Sequence, residues 1–171
     1  MIAFAPHTGA RRSELLRIMI DDVDLEAGTA LIRGKKRVKG KRSTRRVPVS
    51  PFLKGVLVDR LKVYPGGQFM FCQQAEVSRS KTRGRGRPAA PGTLTRDEAH
   101  DHFQRVIKDS KWDKIKGWHV LRHSFISICA ADGVDQRMLQ QWVGHLSEET
   151  HRRYLHLISS KEQHAIANVF P

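Results

Sequence analysis

The chain has 171 residues, enough for one domain with a real core, and its 39% apolar and 28% charged content fits a globular protein, not a disordered one. Lys and Arg number 31 against 17 Asp and Glu, a net charge of +14 with a pI near 10.5, so a polyanionic partner is expected, nucleic acid above all. The sequence shows no long apolar run, secretory h-region or lipidation signal, and its only cysteines are Cys72 and Cys129; a cytoplasmic protein with no membrane partner and no disulfide framework is expected.

In chain order, a helical pattern begins just after Thr8-Gly9 and continues from Glu14 to Met19, where Asp21 to Asp24 with Ala27-Gly28 break it with turn chemistry. Thr29 to Arg33 and Arg45 to Val49 alternate and carry β-branched residues, which predicts two antiparallel strands. Between them lies a basic hairpin: nine of the fourteen residues from Arg33 to Arg46 are Lys or Arg. Pro48 and Pro51 end the second strand, and Phe52 to Val63 fits a helix. Val77 to Gly92, rich in Gly, Pro and Arg, is expected to be a loop. Thr95 with Glu98 forms a capping box that opens a helix to about Lys108. His119 to Ala131 is the most apolar helix and stops at Asp132-Gly133; Asp135 caps another that ends at Gly144. Ser147-Glu148-Glu149 starts a last helix, which carries Tyr154. The fold class is thus α+β, mainly helical, with a small antiparallel sheet near the N-terminus.

The chemistry-bearing residues fall at a few places along this framework. Cleaving a phosphodiester builds charge on two non-bridging oxygens, and a planar guanidinium meets them with two parallel charge-assisted bonds. Arg11 and Arg122 are candidates for such a clamp. Arg122 stands on an apolar helix beside Trp118, Leu121 and Phe125, where a charge needs a reason, whereas Arg11 has an equally charged neighbour in Arg12. Tyr154, nine positions after His145, is one of only two tyrosines. Its phenol can attack phosphorus and leave again as phenolate, although an isolated tyrosine is more often a half-buried helix residue. Tyr64, beside Pro65-Gly66-Gly67, is expected to pack at a helix end. His119 and His145 can donate to a phosphate oxygen or move a proton near neutral pH.

His119 and His123 also have the i, i+4 spacing of two metal ligands, but Val-Leu-Arg lies between them in place of a glutamate-bearing motif, and Arg122 would repel a cation; no metal is expected. Lys35, at the junction of strand and turn, could enter a groove and protonate a leaving oxygen. Most of the hairpin's other charges (Lys36, Arg37, Lys39, Lys41, Arg42) are expected to make plain phosphate contacts, as are Arg83 and Arg85 in the loop.

Taken together, TGARRSE (8–14), a basic hairpin lysine, HVLRHSF (119–125) and VGHLSEETHRRYLH (143–156) resemble, in order and over almost the whole chain, the catalytic domain of the tyrosine recombinases, the phage integrase family. The resemblance implies that Tyr154 attacks the scissile phosphate of duplex DNA, leaving a 3′-phosphotyrosyl link and a free 5′ hydroxyl. Arg11, Arg122 and His145 would hold the non-bridging oxygens. Lys35 would protonate the leaving oxygen and His119 would assist as acid and base, while Glu14 would order the Arg11 region. Because the covalent link keeps the bond energy, no cofactor is needed. The family further implies a homotetramer on DNA, with a monomer open to the isolated chain. The whole chain, 1–171, is expected to be one catalytic domain, without the family's preceding helical domain and first catalytic-domain helix. Two alternatives remain at this level: a catalytically idle DNA-binding relative, and a type IB topoisomerase-like relaxing enzyme.

Overall fold

The computed structural model describes residues 1–38, 41–72, 92–144 and 152, with the backbone alone at 35–38 and 41–42. Six helices and three strands follow one another among these residues. Helix α1 (Phe4–Thr8) and helix α2 (Arg12–Leu15) are short and separated by a sharp turn. Strands β1 (Val23–Asp24), β2 (Thr29–Val38) and β3 (Lys41–Pro48) form an antiparallel sheet in that order. Helices α3 (Pro51–Lys62), α4 (Arg96–Ile107), α5 (His119–Ala131) and α6 (Gln136–Val143) complete the described fold.

Local chemistry explains the starts of three helices. Ser50 caps α3 by accepting from the Leu53 N–H at 3.3 Å, and Pro51 takes the first helical position, where its missing N–H costs nothing. Thr95 and Glu98 form the expected reciprocal box at the start of α4. The Asp135 carboxylate accepts from the Arg137 and Met138 N–H groups to open α6.

The main core is built from Phe4, Leu15, Ile18, Ile32, Leu53, Met70, Phe103 and Trp118, so it joins α1, α2, the sheet, α3 and α4. A smaller cluster of Phe125, Ile126, Leu139 and Val143 closes α5 on α6, and Trp142 packs against both. Trp118 is buried with its indole N–H donating to the Ala99 carbonyl at 3.2 Å, which fixes the start of α5 against α4.

Three expectations are corrected. The pattern from Glu14 to Met19 does not continue as helix: α2 ends at Leu15, and the chain turns so that the Ile18 carbonyl accepts from Met70 while Met19 pairs with Phe69. Complete burial of Ile18 outweighs helix propensity here. The Asp21–Asp24 turn is a 3-10 turn (Ile20–Asp22) that leads directly into β1.

Most consequential is the hairpin. Both strands run on through the basic segment, with Arg37 opposite Arg42 and Val38 opposite Lys41. Lys35 is therefore inside β2 and not at its junction with the turn. Ladder pairing supplies the backbone bonds, so the lack of an apolar alternation did not prevent strand formation. Between Arg33 and Arg37 the register shifts: β2 advances from 33 to 37 while β3 goes only from 44 to 42. Lys35 thus sits within a β-bulge of the backbone ladder.

Tyr64 packs just past the end of α3, its hydroxyl within hydrogen-bond distance of the Gly67 and Phe69 carbonyls at 2.9 and 3.0 Å, which share its one proton. The loop around Arg83 and Arg85, Lys39, and the last helix with His145 and Tyr154 lie outside the described residues. No described helix is long and apolar enough to cross a membrane.

Candidate active site

The segment from Thr8 to Glu14 is the base of the site. Thr8 is buried and its hydroxyl donates to the Phe4 carbonyl at 2.7 Å, closing α1. Gly9 then adopts φ +62°, and a Cβ built there would lie 2.8 Å from Phe125 Cδ1 and 2.9 Å from Val143 Cγ1. Only glycine lets this turn lie flat on α5 and α6. Arg11, extended at φ −73° and ψ 151°, then starts α2.

That turn is what Arg122 reads. Its residue is 3% exposed, and Nη1 donates to the Gly9 carbonyl at 2.6 Å across 113 positions of sequence. The reason for a charge on an apolar helix is now visible: α5 delivers a guanidinium beneath the Gly9 turn, beside the backbone that presents Arg11. Arg11 itself is more open, with a side chain 40% exposed.

Glu14 holds the turn from below. Its carboxylate, buried at 3% exposure, accepts from the Arg11 backbone N–H at 2.8 Å and from Arg11 Nη1 at 3.3 Å. It also takes a bidentate pair from Arg45 on β3, at 2.9 and 2.7 Å. Burial alone would push this carboxyl up, but the hydrogen bonds and charges of Arg45 and then Arg11 hold it below its ordinary value. With the native value depressed, this contribution to stability is present above the ordinary carboxylate range and is lost as pH falls through the native value.

His119 opens α5 on the rim of a concavity of about 460 Å³ lined by Arg11, Arg12, Ser13, Arg96, His100, Lys116, Gly117 and Trp118. Its imidazole is held below its ordinary value by partial desolvation and then by electrostatic interaction with His123, Arg122 and Arg11. The shift favours the neutral ring, which can accept a proton at one nitrogen and donate at the other. His119 and His123 meet edge to face at 4.8 Å, and among the described residues no group of three or more His, Cys, Asp or Glu gathers as metal ligands.

The structure thus brings Arg11, Arg122 and His119 to one place from two distant segments. It places the backbone of Lys35, Lys36, Arg37, Lys41 and Arg42 in the hairpin strands. His145, Tyr154, Lys39, Arg83 and Arg85 fall outside the described residues. Sequence reasoning passed over Arg12, Arg96 and Lys116, which line the basic concavity; only their charge marked them, in a chain full of charge. It also gave Arg33 to the hairpin's basic charge, whereas Arg33 makes a bidentate pair with buried Asp22 and ties β2 to the 3-10 turn.

A family model described as the phage integrase family matches residues 1–161, so this chain belongs to the phage integrase family. The tyrosine recombinase XerD of Mycobacterium tuberculosis is 32% identical over 152 residues, which cover 86% of this chain and 43% of that protein. Among solved structures, the XerH site-specific recombinase bound to palindromic difH substrate, a post-cleavage complex, is 26% identical with a TM-score of 0.66, covering 97% of this chain and 44% of that one. The catalytic domain of bacteriophage HP1 integrase, at 21% identity and a TM-score of 0.57, shares the fold over 97% of this chain and 78% of that domain. The chain spans less than half the length of the XerD and XerH proteins it matches.

Proposed function

We propose that this chain is the catalytic domain of a site-specific DNA recombinase, cutting and rejoining duplex DNA through a 3′-phosphotyrosyl link. The observation that carries the reading is the convergence of Arg11, Arg122 and His119 beside a basic concavity. Two guanidiniums fixed from different segments suit the two non-bridging oxygens of one phosphate, and donors set in advance stabilise the charge that grows in the transition state. Tyr154 attacks phosphorus and expels the 5′ oxygen as a hydroxyl. Lys35 delivers the proton to that oxygen, His119 takes or returns the tyrosine's proton, and His145 adds a further hydrogen bond to the phosphate. Attack on the phosphotyrosine by the 5′ hydroxyl of another strand completes the exchange with no net loss of phosphodiester bonds, so no energy source is required. Four copies acting on two duplexes make the assembly, in the cytoplasm. Family membership and the likeness to a recombinase bound to its substrate support this reading.

Two results test it. The protein at the full length its gene encodes, given duplexes selected for binding and nicked near the cleavage point, should form an SDS-resistant protein–DNA band; tight, specific binding with no band would move the chain to the catalytically idle reading. For the hairpin, neutralising Lys39, Lys41 and Arg42 should reduce the slope of log affinity against log salt by about 0.9 for each phosphate left without its cation. An unchanged slope would take the hairpin off the DNA.

A further inference from the structure

We propose that Arg45 is a positioning residue for strand cleavage, a single guanidinium that aligns the Arg11 turn with the end of α6; this rests on the function proposed above. Three observations carry it. Arg45 donates both terminal nitrogens to Glu14, at 2.9 and 2.7 Å, and Glu14 in turn binds the Arg11 backbone and side chain. Its Nε donates to the Trp142 carbonyl at 2.6 Å. That carbonyl belongs to the last turn of α6, where main-chain acceptors have no partner within the helix and a cation is favoured. The stem of Arg45 then runs beside Gly144, whose φ of +76° and ψ of −165° turn the chain out of the helix; a Cβ built there would lie 3.9 Å from Arg45 Cδ. His145 is the next residue.

The third attachment is the ribbon itself. Arg45 stands opposite Ile32 on β3, next to the Arg33–Thr44 pair that borders the bulge containing Lys35. One side chain, 11% exposed, therefore ties three chain segments that carry proposed catalytic groups: α2 with Arg11, the hairpin with Lys35, and the exit of α6 toward His145. Its geometry also requires arginine. The fork meets a carboxylate with two parallel bonds while Nε, on the same rigid plane, reaches a carbonyl in another direction; an ammonium on a flexible stem cannot fix both. All three guanidinium nitrogens donate to protein acceptors, so Arg45 acts through its neighbours.

The test compares Arg45→Lys and Arg45→Gln with wild type in the full-length protein on a nicked duplex. It reads the single-turnover rate of adduct formation at saturating DNA separately from the DNA concentration giving half saturation. Both variants should cleave roughly 100-fold more slowly at saturation, the scale expected of a small misplacement, with affinity nearly unchanged and no rescue by lysine. The Glu14→Gln, Arg45→Gln double variant should be little worse than either single change, because the two act as one unit. Cleavage by the lysine variant near the wild-type rate, a defect confined to affinity, additive losses in the double variant, or loss of the native near-UV signal in both variants would each overturn the proposal. A wild-type protein that forms no adduct would instead overturn the underlying function.

Discussion

Tyr154→Phe is expected to abolish the covalent protein–DNA band while leaving binding almost untouched. Removing one phenolic oxygen deletes the only atom proposed to form the bond to phosphorus, so the residual rate falls to background rather than by a measurable fraction. The phenyl ring still fills the same space, and a single missing hydroxyl cannot weaken an affinity dominated by backbone phosphate contacts. Gel shifts and SDS gels on the same samples check both halves. Equal adduct yields from variant and wild type would remove Tyr154 as nucleophile.

The second large effect is at Arg122. Replacing it with alanine should slow cleavage by about two to three powers of ten, the cost of losing one charged transition-state donor of roughly 3–4 kcal/mol. Its structural share can be separated from this. Arg122 donates to the Gly9 carbonyl from a position 3% exposed, so its loss leaves a buried acceptor unsatisfied, at about 1–3 kcal/mol of stability. Arg122→Lys keeps the charge and some of the stability but not the planar fork, and it should cleave nearly as poorly as the alanine variant. The measurement is single-turnover cleavage well below the melting temperature of each variant. A lysine variant that melted lower yet cleaved normally would make Arg122 a support for the Gly9 turn and nothing more.

Both predictions rest on groups legible in the sequence, and the reasons are physical. Helices with a cap residue at the start, such as those opened by Thr95 and Asp135, were readable because their ends depend on bonds within three or four residues. Arg122 was readable because a charge among apolar neighbours is costly unless it is used. The hairpin's length was not readable: Lys and Arg at successive positions carry no alternation, so the signal for a strand disappeared although the backbone pairs through Arg37 and Val38. The short α2 was misread for the opposite reason, since a good local helix pattern yielded to burial of Ile18 and its pairing with Met70.

Arg45 marks the limit of local reading. In the sequence it is one basic residue among nine in the hairpin. Its bonds to Glu14 and Trp142 span 31 and 97 positions, and nothing in its neighbourhood announces either. The same holds for the basic concavity, which draws Arg12, Arg96 and Lys116 from three segments. Charge alone predicted a polyanionic partner; the fold decides which charges share a surface with Arg11 and His119.

The central claim is that the chain cuts DNA through one tyrosine and holds the 3′ end. The most direct measurement digests the trapped adduct with nuclease and protease, then determines by mass which residue carries the nucleotide and through which end. The account predicts a nucleotide joined by its 3′ phosphate to Tyr154. A 5′ linkage, a nucleotide on any other residue, or no adduct at all from a protein that binds its site tightly would contradict it.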